Sequence, residues 1–353
     1  MNLLLFLAGL AALIAGASLL VRGASKLALS FGVSPLVVGL TIVAFGTSSP
    51  EVAVSVGAAL EGKTDLAVGN VVGSNIFNVL FILGVSALIA PLIVHLQLIR
   101  QEVPVMIGVS VLLVALGLDG DLSRWDAGLL AVLMLGYTTF LVVQSRRQSA
   151  ADAAELAGEL PADTQWDRHW SMQVVLVAAG LLLLVYGSDW LVAASIAFAK
   201  AMGVSDLIIG LTIVAAGTSM PEVATSILAA IKGERDIAVG NVVGSNTFNI
   251  LGCLGLAGLV APGGLPLPPS LLSFDIWVML AVAIACLPVF FTGREIARWE
   301  GAVFVGYYVA YVAYLILAAQ QHDALPLFSQ VMLLFVVPLT VITLIALMIR
   351  RQR

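Results

Sequence analysis

The sequence predicts an all-α polytopic membrane protein, an inverted repeat of five plus five transmembrane helices with helices 2 and 7 broken. An extra C-terminal helix follows, giving eleven spans. Three observations predict this. Hydrophobic residues make up 61% of the 353 positions and charged residues 10%, where soluble domains carry about 25% charge. Apolar runs of roughly 20 residues recur, each long enough to cross hydrocarbon as a helix. One membrane passage occurs twice at an offset of 171: GLTIVAFGTSSPE at 39–51 returns as GLTIVAAGTSMPE at 210–222, and DLAVGNVVGSNIFNVL at 65–80 returns as DIAVGNVVGSNTFNIL at 236–251.

In chain order the spans fall near 3–21, 33–60, 66–93, 102–118, 126–144, 171–198, 206–231, 237–261, 271–291, 301–319 and 325–349. The first is of full span length and lacks a cationic leader, so it reads as a retained helix. The second and seventh contain Pro50 and Pro221, and each proline predicts a break. The third and eighth open on Asp65 and Asp236, the expected N-caps. They also carry the GxxxG pairs Gly69/Gly73 and Gly240/Gly244, which permit close helix approach. Asp189, in the sixth, is expected at the outer interface, about 27 Å along the helix at 1.5 Å per residue. Cys253 and Cys286 fall in apolar spans and read as packed thiols. The plan is therefore 1–144 as the first repeat, 145–170 as a polar cytoplasmic linker, 171–320 as the second repeat, and 325–353 as the added helix with a basic tail.

These spans sort the loop cations. Lys63, Arg124 and Lys200 lie on the side of the N-terminus and the remaining thirteen of the 16 Lys and Arg lie opposite. That split places the N-terminus outside and the C-terminus in the cytoplasm. Five spans is an odd number, so the second copy enters from the opposite side, as in many secondary transporters whose substrate binds near the midplane. Arg outnumbers Lys, and Ala, Leu and Gly are abundant, which points to the plasma (inner) membrane of a bacterium. The sequence has no basic patch for nucleic acid. The expected partners are inorganic cations and membrane lipid, and oligomeric state is left open.

The chemistry sits in the duplicated passages. Pro50 lacks an N–H and its ring clashes with the carbonyl of Gly46, so carbonyls around Ala44 to Gly46 are expected to lose their helical partners. In lipid, such groups must be met by protein, water or an ion. Glu51 then stands at the positive end of the following half-helix, and Glu222 after Pro221 repeats the arrangement. Two acids within the bilayer mark a functional site. Asn70, Ser74 and Asn78 form one polar stripe at spacing four on the third helix, and Asn241, Ser245 and Asn249 form its copy on the eighth. Carboxylates, hydroxyls, amide oxygens and carbonyls are hard donors suited to Ca²⁺ or Na⁺ rather than Zn²⁺ or Cu⁺. Two carboxylates left empty would repel each other in low dielectric, so the site is expected to hold Ca²⁺, monovalent ions or protons at all times.

At these residues the chain resembles the cation/calcium exchanger superfamily, and looks closest to bacterial sodium/calcium antiporters. The family's two α-repeats carry GTS-x-PE and GSN-x-F-[ND], which read here as GTSSPE with GSNIFN and GTSMPE with GSNTFN. The resemblance covers spans one to ten. It implies Glu51 and Glu222 as the calcium-binding acids and Thr47, Ser48, Thr218, Ser219, Ser74 and Ser245 as cation-binding hydroxyls. It also implies the carbonyls of Ala44 and Ala215 and the amide of Asn78 as ligands. Asn249 stands where many sodium/calcium members have Asp, which leaves two acidic ligands in place of three. The implied activity is exchange of Ca²⁺ for Na⁺ (alternatively H⁺) by alternating access, with spans one and six moving as a gate. No enzymatic activity and no resident cofactor are expected. A cation channel is a weaker alternative, since buried carboxylates at broken helices replace filter loops. A hydrolase is weaker still, because no nucleophile–base pair accompanies the acids.

Overall fold

The computed structural model describes residues 2–31, 34–156, 169–202 and 215–351. Among them, helices α1 (Asn2–Phe31), α2 (Pro35–Thr47) and α3 (Ser49–Leu60) come first. They are followed by α4 (Thr64–Ile89), α5 (Leu98–Asp119) and α6 (Arg124–Leu156). The second half contains α7 (Trp170–Ala201), the short α8 (Ala215–Gly217), α9 (Met220–Lys232), α10 (Arg235–Val260), α11 (Leu271–Phe291) and α12 (Arg298–Ala319). A last helix, α13 (Leu325–Ala346), closes the chain.

Nine of these helices are long and apolar enough to cross a membrane, and the bent pair α2–α3 makes a tenth span. The protein is thus an all-α membrane protein. Residues 203–214, the first half of the expected seventh span, lie outside the described residues, as do 157–168 of the expected linker.

Helix α6 continues beyond its candidate membrane span, Arg124–Ser145, as far as Leu156, because SRRQSAADAAEL is rich in good helix formers and contains no breaker. One expectation is corrected. Asp65 and Asp236 are not N-caps. Those positions fall to Lys63 and Glu234, and the aspartates occupy the first helical turn, where negative charge still favours the helix dipole.

Two short ribbons tie the loops. Strand β1 (Leu92–Ile93) pairs antiparallel with β4 (Glu295–Ile296), and β2 (Asp121–Leu122) pairs with β3 (Leu265–Pro266). Each ribbon joins two loops that the span count assigns to the same side of the membrane. The repeat offset also carries the start of β1 to within two residues of β3 and the start of β2 to within three residues of β4.

Small residues set the closest crossings. A methyl placed on Gly16 would lie 2.8 Å from the Gly180 carbonyl, and one on Gly187 would lie 2.9 Å from the Leu13 nitrogen. Helices α1 and α7 therefore meet backbone to backbone, the packing that glycine permits in membranes. A methyl on Gly244 would lie 2.7 Å from the Leu40 Cα, which seats α10 against α2. The repeat offset carries Leu36 and Leu40 to Leu207 and Leu211, which lie outside the described residues.

Helix α13 presents no buried side chain over Leu325–Val336. It is tied to α12 by Tyr307, whose hydroxyl donates to the Thr340 hydroxyl at 2.7 Å. Cys253 and Cys286 are buried free thiols.

Candidate cation-binding site

Both prolines start new helices. Helix α2 ends at Thr47, Ser48 adopts φ −81° and ψ 9°, and α3 follows with a 46° bend. Ser219 repeats this at φ −88° and ψ 10° ahead of α9. These serines sit in the sparsely occupied bridge region that many functional residues adopt. The Ala44 carbonyl is not left without a partner. It accepts from the Ser48 N–H at 3.0 Å, with the Thr47 hydroxyl at 3.4 Å. The reason is local: proline removes the donor four residues ahead of Gly46, not that of Ala44. In the second copy the equivalent carbonyl, Gly217, accepts from the Ser188 hydroxyl of α7 at 2.6 Å. Ala215 is the first described residue of α8.

Each broken helix is bonded to the other copy. Ser48 donates to Glu222 Oε1 at 2.9 Å, and Ser219 donates to Glu51 Oε1 at 2.8 Å. Thr47 donates to Asn241 Oδ1 at 3.1 Å, and Thr218 donates to Asn70 Oδ1 at 3.3 Å. The Ser219 hydroxyl also lies 3.2 Å from Ser74 Oγ. Glu51, Glu222, Thr47, Ser48, Ser219, Ser245, Asn78 and Asn249 have no exposed surface, and Ser74 is 2% exposed.

Four of these buried atoms have no partner among the described residues: Glu51 Oε2, Glu222 Oε2, Asn78 Oδ1 and Ser245 Oγ. Buried polar atoms in native proteins are paired, and an unpaired carboxylate is the costliest exception.

The stripe positions divide by role. Asn70 donates to Ser55 Oγ at 3.0 Å and to the Glu51 carbonyl at 3.3 Å, while Asn241 donates to Ser226 Oγ at 2.9 Å. They brace α3 and α9 through hydroxyls that sequence reasoning passed over. Ser55 and Ser226 each stand four residues after a glutamate and match at the repeat offset, which was the available signal.

Sequence reasoning also missed Asn75 and Asn246. Asn75 Nδ2 donates to the Asn246 carbonyl at 3.1 Å, and Asn246 Nδ2 donates to the Asn75 carbonyl at 3.2 Å. A carbonyl only accepts, so both amide orientations are fixed. Their oxygens then accept from the outer pair: Asn249 Nδ2 to Asn75 Oδ1 at 3.1 Å and Asn78 Nδ2 to Asn246 Oδ1 at 3.0 Å. The backbone thereby dictates which face of Asn78 and of Asn249 carries oxygen. Both ligand candidates open π-helical stretches, Asn78–Leu83 and Asn249–Leu254, a local widening common at functional sites.

A sodium/calcium exchanger protein family model matches residues 1–143 and 172–317 of this chain. The chain belongs to the sodium/calcium exchanger family. Inner membrane protein YrbG of Escherichia coli (strain K12) is 38% identical over 312 residues, covering 88% of this chain and 95% of the relative. Sodium/calcium exchanger MaX1 of Methanosarcina acetivorans is 34% identical over 345 residues, covering 89% and 98%. The structure of the sodium-calcium exchanger NCX_Mj soaked with 2.5 mM Na⁺ and 0.1 mM Ca²⁺ superposes with a TM-score of 0.74 at 30% identity, over 88% of this chain and 97% of that one. This family member is accordingly a membrane transporter of inorganic cations. Its last helix, α13, lies beyond the family match.

Proposed function

We propose that this exchanger moves Ca²⁺ against Na⁺, with Ca²⁺ held between Glu51 and Glu222. One observation carries the reading: two fully buried carboxylates each keep one oxygen paired to a serine of the opposite copy and one oxygen unpaired. Two carboxylates neutralise one divalent ion, and Asn78 Oδ1 and Ser245 Oγ extend the hard-oxygen set. Thr47, Ser48, Thr218, Ser219, Ser74 and Asn249 complete the wall, and the Ala44 and Ala215 carbonyls contribute their remaining lone pairs. The charge left by Ca²⁺ departure must be met before the empty site can reorient, so entry of Na⁺ is coupled to exit of Ca²⁺.

Alternating access follows from an inverted repeat with 1–144 and 171–320 as its halves. The reciprocal hydrogen bonds and the exchanged ribbons support that arrangement, and the glycine-lined contact of α1 with α7 supports their moving as one gate. The loop charges support an inner-membrane location with the N-terminus outside. MaX1 is named a sodium/calcium exchanger, which favours sodium over protons as the counter-ion. The test is ⁴⁵Ca²⁺ uptake by everted vesicles under an imposed Na⁺ gradient or an imposed pH gradient. Uptake driven by the Na⁺ gradient alone is expected. Uptake driven by the pH gradient alone overturns the sodium reading in favour of H⁺ exchange.

A further inference from the structure

The two halves of the site are not equivalent, and one difference lies in the side chain beside the second-repeat amide. Asn78 and Asn249 are related by the repeat offset and anchored by equivalent bonds to Asn246 and Asn75. Their oxygens nevertheless have different surroundings. Asn78 Oδ1 is buried without a partner among the described residues, whereas Asn249 Oδ1 accepts from the Cys253 thiol at 3.5 Å. The residue equivalent to Cys253 in the first copy is Ile82, which has no donor to offer. Cys286 shows what a buried helical thiol does by default: it donates to the carbonyl of its own preceding turn, Val282, at 3.6 Å. Cys253 instead reaches the side chain of a candidate ligand, and with no exposed surface it meets no competing water.

On the reading that this pocket holds the cation, we infer that Cys253 is a specificity-determining positioning residue, holding the Asn249 amide oxygen out of the cation's ligand set so that Asn78 supplies the single free amide oxygen. The amide network makes this possible. Because Asn249 Nδ2 is committed to Asn75, the direction of the Asn249 oxygen is set, and the lone pair that the thiol takes is withdrawn from the ion. A thiol is a weak donor, so the restraint is small enough to be altered by one substitution. The cation is thereby drawn toward the first-repeat side, where Asn78 Oδ1 is free.

The test uses the full chain in proteoliposomes and reads KM and kcat for Ca²⁺ separately, for N78A, N249A, C253I, C253S, C253I/N249A and C253I/N78A. Cys253→Ile installs the residue of the first copy and releases the Asn249 oxygen. KM for Ca²⁺ is expected to fall by about three- to tenfold, the change that one added neutral contact produces, with kcat changing less. Cys253→Ser keeps a donor and is expected to retain the wild-type KM. N249A is expected to raise KM in the C253I background and to change it less in the wild-type background, a coupling that a purely structural cysteine does not produce. N78A raises KM in both. Where C253I is not monodisperse, C253A removes the donor and takes its place. The inference is overturned if N249A and N78A raise KM equally in the wild-type background, or if removing the thiol leaves KM unchanged. Retained Ca²⁺ transport in E51Q, measured alongside, instead overturns the site reading on which this rests.

Discussion

Asn75→Ala tests the frame on which the site hangs. In the wild-type protein the Asn75 amide donates to the Asn246 carbonyl at 3.1 Å and accepts from Asn249 Nδ2 at 3.1 Å. Both partners belong to residues 3% exposed or less. The substitution strands one buried donor, Asn249 Nδ2, and takes one of two bonds from the Asn246 carbonyl, which keeps the Asn249 N–H, so a loss of about 1–3 kcal/mol is expected. Asn246→Ala strands Asn78 Nδ2 and leaves the Asn75 carbonyl with the Asn78 N–H in the same way, and its stability loss should match. Transport should not match. N246A frees the orientation of Asn78, whose oxygen is unpartnered, whereas N75A frees Asn249, whose oxygen is already taken by Cys253. The expected outcome is similar loss of stability in both variants, with a larger rise in Ca²⁺ KM for N246A. Stability is read from reversible denaturation in detergent, and KM from ⁴⁵Ca²⁺ uptake into proteoliposomes. If N75A unfolds within about 0.5 kcal/mol of wild type, below the worth of a single hydrogen bond, the four-asparagine network is not formed.

Glu51→Gln and Glu222→Gln keep the size of each side chain but remove one of the two charges, so each should abolish Ca²⁺ exchange while leaving a monodisperse protein. Exchange surviving in either variant would sink the assignment. Gly244→Ala places a methyl 2.7 Å from the Leu40 backbone and should cost about 1–3 kcal/mol. Gly136→Ala meets no described atom within 4 Å and should gain up to about 1 kcal/mol from helix propensity; equal effects in thermal unfolding would refute this account of the helix crossings. In the loop after α3, the Lys63 ammonium 2.6 Å from Glu61 holds that carboxyl below its usual range. A depressed carboxylate contributes stability above its unfolded value and loses it as pH falls through the folded one. Both groups are solvent-exposed, so Glu61→Gln should leave unfolding at pH 7 within error of wild type, and a clear loss there would show the pair to be less screened than its exposure implies.

How much of this was legible in the sequence depended on which groups were fixed locally. The helix breaks were legible because proline acts on its own chain: Pro50 and Pro221 can only begin α3 and α9, and the glutamates that follow are carried to the helix starts. The acids, hydroxyls and stripes were legible because duplication repeats them, and the structure brings Ser48 to Glu222 and Ser219 to Glu51 as a two-fold pairing requires. The fate of the Ala44 carbonyl was misread because the proline's missing donor was spread over three carbonyls, while the backbone geometry assigns it to Gly46. The inner asparagines were illegible for another reason. Asn75 and Asn246 lie one position off each stripe, so helical periodicity turns them away from the polar face, and only the meeting of α4 with α10 gives them partners. The same meeting exposes the difference between Ile82 and Cys253, two residues that composition counts alike as apolar. Cys253 donates a hydrogen bond to the Asn249 amide four residues before it, and Ile82, four residues after Asn78, has none to donate. A repeat read from sequence therefore finds which atoms can bind a cation, but which of them are free to do so is decided by residues that the repeat does not preserve.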